Sequence, residues 1–455
     1  MSAQPERIRL LVIGGGPAGH EAASTAATLG ASVTLVEESI VGGAAHLWDC
    51  IPSKTMVASA RRLAAMRSGG TLGVSDPGEI DVDMPRLSDH VDSITNKLAA
   101  GFRELLESQR VELISGRARF TGPNSAEVTT DAGLRSLEFD AALISTGSRP
   151  WVPDWAEPDG ERILTTRHAY HWEKRPEHIA IVGSGVTGVE FVHIFASLGS
   201  KVTLLVSRHH VLPHRDTEVA MELEADFLER GVVLMKGSRA SSVQRTGDGV
   251  VVTTQDGRSV EATHVLLAVG SVPNSEDLGL DLAGVTAERG FITVDEYQRT
   301  SVPHIYAAGD VTGQLPLSSV ATMQGRKLAR HLMGHNVRPL DYPKVTQAIF
   351  TEPEIASVGL EEVDAAAVGR KVRITKVPFA SNPRALIQAA PRGFVKVISD
   401  PATRVVLGGT IVGKNASELI AVIALAVQSR LQVEALVETL MVHPSMTESL
   451  TEAAE

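Results

Sequence analysis

Apolar runs, glycine turns and helical stretches alternate at the start of the chain. Residues 8–13 form an apolar run of strand length, and the glycine-rich turn GGGPAG follows it directly. Small and apolar residues then continue with helical spacing over residues 21–29, and residues 32–36 form a second apolar strand. Strand, turn, helix and strand in this order predict a β-α-β unit with parallel strands.

The same pattern occurs a second time. The apolar run 178–182 leads into GSGVTG, and the three glycines of this turn stand at one constant offset from those of the first turn. The corresponding glycines are Gly14, Gly16 and Gly19 in the first copy and Gly183, Gly185 and Gly188 in the second. Glycines at these positions let a pyrophosphate approach the backbone, and the following helix N-terminus favours its charge. The duplication therefore predicts two dinucleotide-binding sites.

The two copies differ where the second strand ends. In the first copy Glu37 follows the strand and can accept the ribose hydroxyls of a dinucleotide. The same step in the second copy reaches Val206, so no carboxylate repels a 2′-phosphate there. Ser207 and Arg208 come next, and Arg208 could pair with that phosphate. The alternative is a solvated basic turn. We predict that NADPH is accepted at least as well as NADH.

Length and charge narrow the class of protein. A chain of 455 residues predicts roughly three domains at about 100 to 200 residues each. A formal net charge of -11 argues against a nucleic-acid or anionic-membrane partner. The later apolar run 419–427 is far shorter than the roughly 20 residues that span a bilayer. One cysteine in the whole chain suits a reducing compartment, so we expect a cytoplasmic protein without a membrane span.

That single cysteine, Cys50, lies in the stretch GGAAHLWDCIPSK, residues 42–54. One cysteine cannot form an intramolecular disulfide. A lone cysteine is by default a small buried apolar residue. Here its position, just downstream of a nucleotide-binding turn and followed by a Pro-Ser-Lys turn, favours a functional role instead.

This stretch, with the two glycine turns, resembles the pyridine nucleotide-disulfide oxidoreductase (lipoamide dehydrogenase-like) family. The segment STGSRP, the Gly-Asp pair after residue 308 and the HPxxxE pattern near the C-terminus extend the resemblance over essentially the whole chain. In the family two cysteines flank four residues, but here Ala45 stands at the first position. The chain therefore resembles most the quinone-reductase branch, which lacks the redox disulfide.

The resemblance implies an α/β fold with two Rossmann-like domains, for FAD and NAD(P), and an α+β C-terminal dimerisation domain. It places FAD-binding segments at residues 1–150 and 273–341, the NAD(P) domain at 151–272 and the interface domain at 342–455. FAD and either NADPH or NADH are the implied cofactors. The implied assembly is a homodimer whose active sites are shared across the interface.

The resemblance also assigns roles to individual residues. Cys50 packs against the flavin, and Lys54 pairs with Glu190 beside it. His443 and Glu448 reach into the partner's site, where the histidine exchanges a proton. The further cofactor-binding residues are Gly43, Thr146, Gly147, Gly309, Asp310 and Gly270. Each charged residue also has a structural alternative: a helix cap for Asp310, solvated charges for Lys54 and Glu190, and an ordinary surface histidine for His443.

The implied function is transfer of electrons from NAD(P)H through flavin directly to a quinone-type acceptor. No metal is expected. A single-thiol peroxidase or disulfide reductase that cycles Cys50 through a sulfenic acid is one alternative, and a transhydrogenase-like diaphorase is another. A non-enzymatic, FAD-bound interaction protein would leave the retention of Lys54, Glu190, His443 and Glu448 unexplained.

Overall fold

A computed structural model describes residues 7–67, 72–75, 78 and 80–455. The described chain divides into two compact units. The first contains the described residues up to Ser53 together with Asp89–Trp151 and Gly270–Leu340. The second contains the described residues from Lys54 to Ser88 together with Val152–Val269 and Asp341–Glu455.

The helices are named here in chain order. They are α1 (Pro17–Thr28), α2 (Ala44–Leu47), α3 (Cys50–Arg67), α4 (Met84–Ser108), α5 (Val186–Leu198), α6 (Thr217–Glu229), α7 (Leu280–Ala283), α8 (Ser318–Leu332), α9 (Glu362–Ala367), α10 (Pro383–Ile387), α11 (Ala416–Ser429), α12 (Val433–Val437) and α13 (Glu448–Glu452). Short 3-10 turns occur at Thr166–His168, Asp310–Thr312, Tyr342–Lys344 and Phe379–Ser381.

The strands follow the same convention. They are β1 (Arg9–Ile13), β2 (Ser32–Glu37), β3 (Glu112–Ser115), β4 (Arg117–Gly122), β5 (Ser125–Thr130), β6 (Gly133–Glu138), β7 (Ala141–Ile144), β8 (Ser148–Pro150), β9 (Ile163–Thr165), β10 (His178–Val182), β11 (Lys201–Val206), β12 (Val233–Lys236), β13 (Ala240–Thr246), β14 (Gly249–Thr254), β15 (Ser259–Ala262), β16 (His264–Leu267), β17 (Ser271–Pro273), β18 (Ala287–Glu288), β19 (Phe291–Ile292), β20 (Ile305–Ala307), β21 (Gln347–Ile349), β22 (Glu354–Gly359), β23 (Arg373–Pro378), β24 (Phe394–Ser399) and β25 (Val406–Gly413).

The first unit is built on a parallel sheet with strand order β20-β7-β1-β2-β3. β1 is buried on both faces: Leu10 and Val12 join the apolar cluster with α1 and α8, and Leu11 and Ile13 join the cluster with the β4-β5-β6 sheet. A strand covered on both sides reads as a continuous apolar run, which is the pattern of residues 8–13.

The first helix starts earlier than the sequence pattern indicates. We predicted a helix over residues 21–29, and α1 spans Pro17–Thr28. Pro17 stands in the first turn, where its fixed φ angle suits a helix and its missing N–H costs nothing. Pro17, Ala18 and Gly19 of the glycine turn therefore belong to α1, so that Gly19 lies inside the helix. A Cβ on Gly325 of α8 would stand 2.2 Å from the carbonyl oxygen of Ala18, which shows how closely the two helices pack.

The second unit contains a parallel sheet of order β12-β11-β10-β16-β9 and an antiparallel sheet of order β21-β22-β25-β24-β23. The parallel sheet repeats the arrangement of the first unit, with β10, a glycine turn, α5 and β11 in sequence. The helix α11 packs on the antiparallel sheet through Ile420 and Ile423. The predicted α/β fold with a duplicated nucleotide-binding unit is confirmed. Among the residues that the structure describes, no helix has the length and apolar character needed to cross a membrane.

Candidate active site

The first glycine turn brings three stretches of backbone into close contact. A Cβ on Gly14, which has a φ of +97°, would lie 2.5 Å from the carbonyl oxygen of Ser145. A Cβ on Gly19 would lie 1.9 Å from the carbonyl oxygen of Gly14. A Cβ on Gly16, by contrast, would meet no described atom within 4 Å. Glycine is thus required for packing at two of the positions, and the third opens onto space that a ligand can use.

The N-terminus of α1 can bind an anion. Gly16 occupies the N-cap position, and no side chain of the described residues caps it. The first helical turn, PAGH, contains no carboxylate. Helix N-terminal N–H groups without such partners attract a phosphate.

The carboxylate of Glu37 is hydrogen-bonded to the same glycine turn. Its carboxylate accepts the N–H of Gly15 at 2.6 Å and that of Ser39 at 2.8 Å. Burial raises the pKa of Glu37 above its ordinary value, although the backbone hydrogen bonds oppose the shift. A half-buried acid at the end of the second strand is the arrangement that binds an adenosine ribose.

The pair Gly42 and Gly43, which precedes the cysteine segment, lies directly against the first glycine turn. The N–H of Gly42 donates to the carbonyl oxygen of Gly15 at 2.8 Å. A Cβ on Gly43 would lie 2.9 Å from the Cα of Gly16. The turn that leads to the cysteine segment is therefore held against the anion-binding loop, with no room for side chains between them.

Thr146 and Gly147 are fixed by one asparagine. The Thr146 hydroxyl donates to the carbonyl oxygen of Asn274 at 2.6 Å, and the Asn274 N–H donates to the Gly147 carbonyl oxygen at 3.0 Å. The carbonyl oxygen of Gly270 accepts the N–H of Trp151 at 2.9 Å. These bonds connect the segment in which the chain leaves the first unit to the segment in which it returns.

Asp310 is a half-buried carboxylate within the same unit. It accepts the hydroxyl of Ser148 at 2.9 Å, and burial raises its pKa. The preceding Gly309 has a φ of +77° and donates its N–H to Gln324 at 2.7 Å. Two half-buried acids with raised pKa values beside an open glycine cradle are a mark of a ligand site. These residues fit FAD.

Cys50 begins α3, and its sulfur lies 3.0 Å from the hydroxyl oxygen of Ser318, the first residue of α8. Both residues belong to the first unit. Ala45, where we expect the family's other cysteine, is buried in α2. Thus two helix starts meet at the single thiol.

Lys54 and Glu190 meet in the second unit. The ammonium of Lys54 lies 2.9 Å from one carboxylate oxygen of Glu190, and the other oxygen accepts the N–H of Phe350 at 2.9 Å. The Lys54 ammonium also stands 4.9 Å from the centre of the Phe350 ring. The Glu190 side chain is 7% exposed, against 34% for Lys54. The lysine is thus a half-exposed cation held by a buried, fully bonded acid.

The second glycine turn repeats the first. A Cβ on Gly183 would lie 2.2 Å from the carbonyl oxygen of Ala268, and one on Gly188 would lie 1.9 Å from that of Gly183. Around Gly185 the described residues leave the Cβ position open. Ser207 and Arg208, beyond the end of β11, are exposed. The turn can take a second dinucleotide.

His443 and Glu448 also meet within the second unit. Nδ1 of His443 lies 2.8 Å from Glu448, whose other oxygen accepts the N–H of Ser445 at 2.8 Å. The Ser445 N–H and His443 together lower the pKa of Glu448. The His443 side chain is 70% exposed, so its ring is open to a partner.

Three contacts of these residues were not predicted from the sequence: in the first unit, Ser318 against Cys50 and Ser148 against Asp310, and in the second unit, the Phe350 N–H on Glu190. Each joins residues far apart in the chain. Only Ser148 carried a signal, since it stands in the segment STGSRP that marks the chain's exit from the first nucleotide unit.

The fold and the site define an oxidoreductase with two dinucleotide sites. A profile of the pyridine nucleotide-disulphide oxidoreductase family matches residues 8–325, and its dimerisation domain matches residues 345–454. The chain belongs to this family. The family is FAD-dependent and uses NAD(P)H, so the predicted family and cofactors are confirmed.

Similar proteins cover nearly the whole chain. NAD(P)H dehydrogenase (quinone) from Mycobacterium tuberculosis is 43% identical over 98% of this chain and 93% of its own. Dihydrolipoyl dehydrogenase from Chlorobaculum tepidum is 35% identical over 97% of this chain and 95% of its own. The crystal structure of LpdA from Mycobacterium tuberculosis matches with a TM-score of 0.93 and 42% identity, over 98% of this chain and 99% of that one.

Proposed function

We propose that the protein is an NAD(P)H oxidoreductase that delivers electrons from flavin directly to a quinone-type acceptor, without a redox-active disulfide. The observation that carries the proposal is the single cysteine, Cys50, in a chain of a disulfide oxidoreductase family. A dithiol relay needs two sulfurs, and Ala45 stands where we expect the other. The name of the 43% identical relative from Mycobacterium tuberculosis agrees with this function.

The proposal assigns a role to each domain. The segments 1–150 and 273–341 hold FAD through the first glycine turn, Glu37 and Asp310, and the segment 151–272 binds NAD(P)H at the second glycine turn. Residues 342–455 form the interface of a homodimer. FAD held by these residues would supply the redox chemistry between NAD(P)H and the acceptor.

Lys54 supplies a fixed positive charge in this proposal. Its ammonium is held 2.9 Å from Glu190, and the Phe350 N–H keeps that carboxylate in place. A preorganised cation stabilises negative charge that develops beside it during electron transfer. By the family resemblance, that charge develops on the flavin.

His443 is the proposed proton donor to the acceptor. Glu448 bonds Nδ1 of the ring and leaves the opposite nitrogen to face outward from the exposed side chain. Orientation by a carboxylate is the usual way to prepare an imidazole for proton transfer. In the dimer this ring serves the active site of the partner.

The acceptor panel tests the function. The purified holoprotein is reduced anaerobically with NADPH, and its reoxidation is followed after addition of benzoquinone, naphthoquinone, lipoamide, glutathione disulfide or peroxide. We expect rapid reoxidation by the quinones alone. Turnover with peroxide that is lost in Cys50→Ser would instead establish a single-thiol peroxidase.

A further inference from the structure

The loop of residues 207–216, called here the β11–α6 loop, joins β11 to α6 in the second unit. It begins with Ser207 and Arg208, the exposed residues assigned above to the adenosine end of NAD(P)H. It ends at Asp216, the N-cap residue of α6. Recognition by this loop depends on what fixes its backbone.

The middle of the β11–α6 loop is bonded to the second glycine turn. The N–H of Leu212 donates to the carbonyl oxygen of Ser184 at 2.9 Å, and Ser184 lies between Gly183 and Gly185. Leu212 has a φ of +49°, in the left-handed region that residues other than glycine rarely adopt. Contacts around the loop must hold this conformation in place.

One buried carboxylate supports the same stretch. Glu224 of α6 accepts the N–H of Val211 at 2.9 Å and lies 3.2 Å from Nδ1 of His210. The ammonium of Lys236 donates to it at 2.6 Å. Burial would raise the pKa of Glu224, but the bonds from Lys236 and Val211 outweigh it and lower that pKa.

The far end of the loop is bonded to the C-terminal sheet of the same unit. The Arg215 guanidinium donates to Ser357 of β22 at 2.8 Å, to Gln347 of β21 at 2.6 Å and to the carboxylate of Glu361. The side chains of Arg215 and Glu361 are 14% and 7% exposed. This is a largely buried ion pair with further hydrogen bonds on the guanidinium.

The next residue makes a second connection. One oxygen of Asp216 accepts the N–H of Val363 at 2.9 Å, and the other accepts the ammonium of Lys396 in β24. Lys396 is 1% exposed and also contacts Glu218. Burial alone would lower the pKa of Lys396, but its bonds to the two carboxylates outweigh burial, so the pKa is raised.

A similar ion pair at the other end of α6 does not contact the loop. Arg392 donates to Asp226 at 3.0 Å and to Glu229. It joins the same helix to the same C-terminal region. Arg392 therefore offers a matched comparison for Arg215.

We propose that Arg215 is a positioning residue for NAD(P)H, and that it acts by bonding the nucleotide-recognition loop to the C-terminal sheet. The inference rests on the proposed binding of NAD(P)H at the second glycine turn. With Arg215 in place, the loop backbone is fixed at Ser184 and at the sheet, and Arg208 is presented from a preorganised segment. Without Arg215, nucleotide binding must order the loop, and affinity falls by the free energy which that ordering requires.

Binding to the FAD-loaded protein tests the inference. The dissociation constants of NADP+ and 2′,5′-ADP are measured by calorimetry for the wild type, Arg215→Gln, Arg215→Lys, Gln347→Met and Arg392→Gln, with melting temperatures alongside. We expect a rise of roughly tenfold for both ligands in Arg215→Gln. Arg215→Lys and Gln347→Met should show smaller rises, since each keeps part of the bonding. In Arg392→Gln both constants should match the wild type even if the melting temperature falls.

The outcomes separate the two proposals. If Arg215→Gln and Arg392→Gln change the dissociation constants equally, or neither changes them, Arg215 is only a structural residue and the inference is wrong. Should Arg215→Gln fail to fold, unchanged constants in both Arg215→Lys and Gln347→Met would overturn it. If the wild type binds none of NADP+, 2′,5′-ADP and NAD+, the last measured in the same way, nucleotide binding at the second glycine turn is absent and the proposed function itself fails.

Discussion

Glu37 and Asp310 are half-buried residues of the first unit, and partial removal of a carboxylate from water is costly. Burial raises the pKa of each, and their described bonding partners are backbone N–H groups and the Ser148 hydroxyl. A buried carboxylate without a cation destabilises a fold. Such residues fit a site where a ligand supplies hydroxyl groups to bond them, as the ribose and ribityl groups of FAD would.

The change Asp310→Asn tests this at residue scale. Because the pKa of Asp310 is raised on folding, the folded chain binds the proton more tightly, and stability falls as pH rises through that pKa. At pH 7 the flavin-free variant should therefore melt higher than the flavin-free wild type, and the difference should vanish toward pH 4. Its FAD affinity should fall at least roughly tenfold, the loss expected for a hydrogen bond to a charged group. A variant that melts lower and binds FAD normally would show Asp310 to be a structural residue.

Arg208→Ala tests the assigned cofactor selectivity. The residue is exposed, so its loss should change the free energy of unfolding by no more than about 0.5 kcal/mol. Loss of a charge-assisted bond to a 2′-phosphate should raise KM for NADPH roughly tenfold. Steady-state kinetics with NADH serve as the internal control. Equal changes for both nucleotides would remove Arg208 from phosphate recognition.

At the scale of elements, the pattern of apolar residues was sufficient for the parallel units. The run 178–182 forms β10 with the same bounds. Its four buried residues are apolar, because a strand buried on both faces is apolar on both. The start of α1 was placed too late because Pro17 and Gly19 interrupt the helical pattern, although a proline fits the first turn. The Phe350 N–H on Glu190 could not be predicted, because a backbone donor carries no residue signature.

Two histidines pack on Phe102 of α4 and connect three helices of the first unit. The rings of His20 in α1 and His46 in α2 lie 4.3 Å and 5.2 Å from it, centre to centre. Burial lowers the pKa of His20 to about 4, and burial also lowers that of His46.

His20→Phe tests the effect of this packing on acid stability. Between pH 6.5 and about 4 the unfolded chain binds a proton that folded His20 does not, so wild-type stability should fall as pH is lowered through this window. The loss is up to about 3 kcal/mol. Urea unfolding at a series of pH values should show a smaller loss in the variant. The same slope in both proteins would mean that other groups set the acid limit.

At the scale of the whole molecule, the C-terminal region is a dimerisation domain, and it carries His443. Leu440 and Val442, just before it, are 99% and 77% exposed in the single chain. Apolar side chains left so open are typical of surfaces that a partner covers. They agree with the proposal that this segment enters the partner's active site.

A mixed dimer tests whether the sites are shared. Lys54→Met and His443→Ala should each lower quinone reductase activity. In a dimer that contains one chain of each kind, shared sites give one active centre with both Lys54 and the partner's His443 intact. We expect purified mixed dimers to regain about half of wild-type activity. Mixed dimers no more active than the two parent variants would place both residues in the same chain's site.

The central claim is that electrons leave the flavin for the acceptor without passing through sulfur. Stopped-flow reoxidation of the NADPH-reduced Cys50→Ser holoprotein by a naphthoquinone tests it most directly. Ser318 lies 3.0 Å from the Cys50 sulfur, so a serine keeps a polar atom in that position. We predict a rate constant within roughly threefold of the wild-type value, since an altered neighbour changes the flavin environment without removing a reaction step. A fall of roughly a hundredfold or more, with flavin reduction by NADPH intact, would show that Cys50 carries the electrons and contradict the claim.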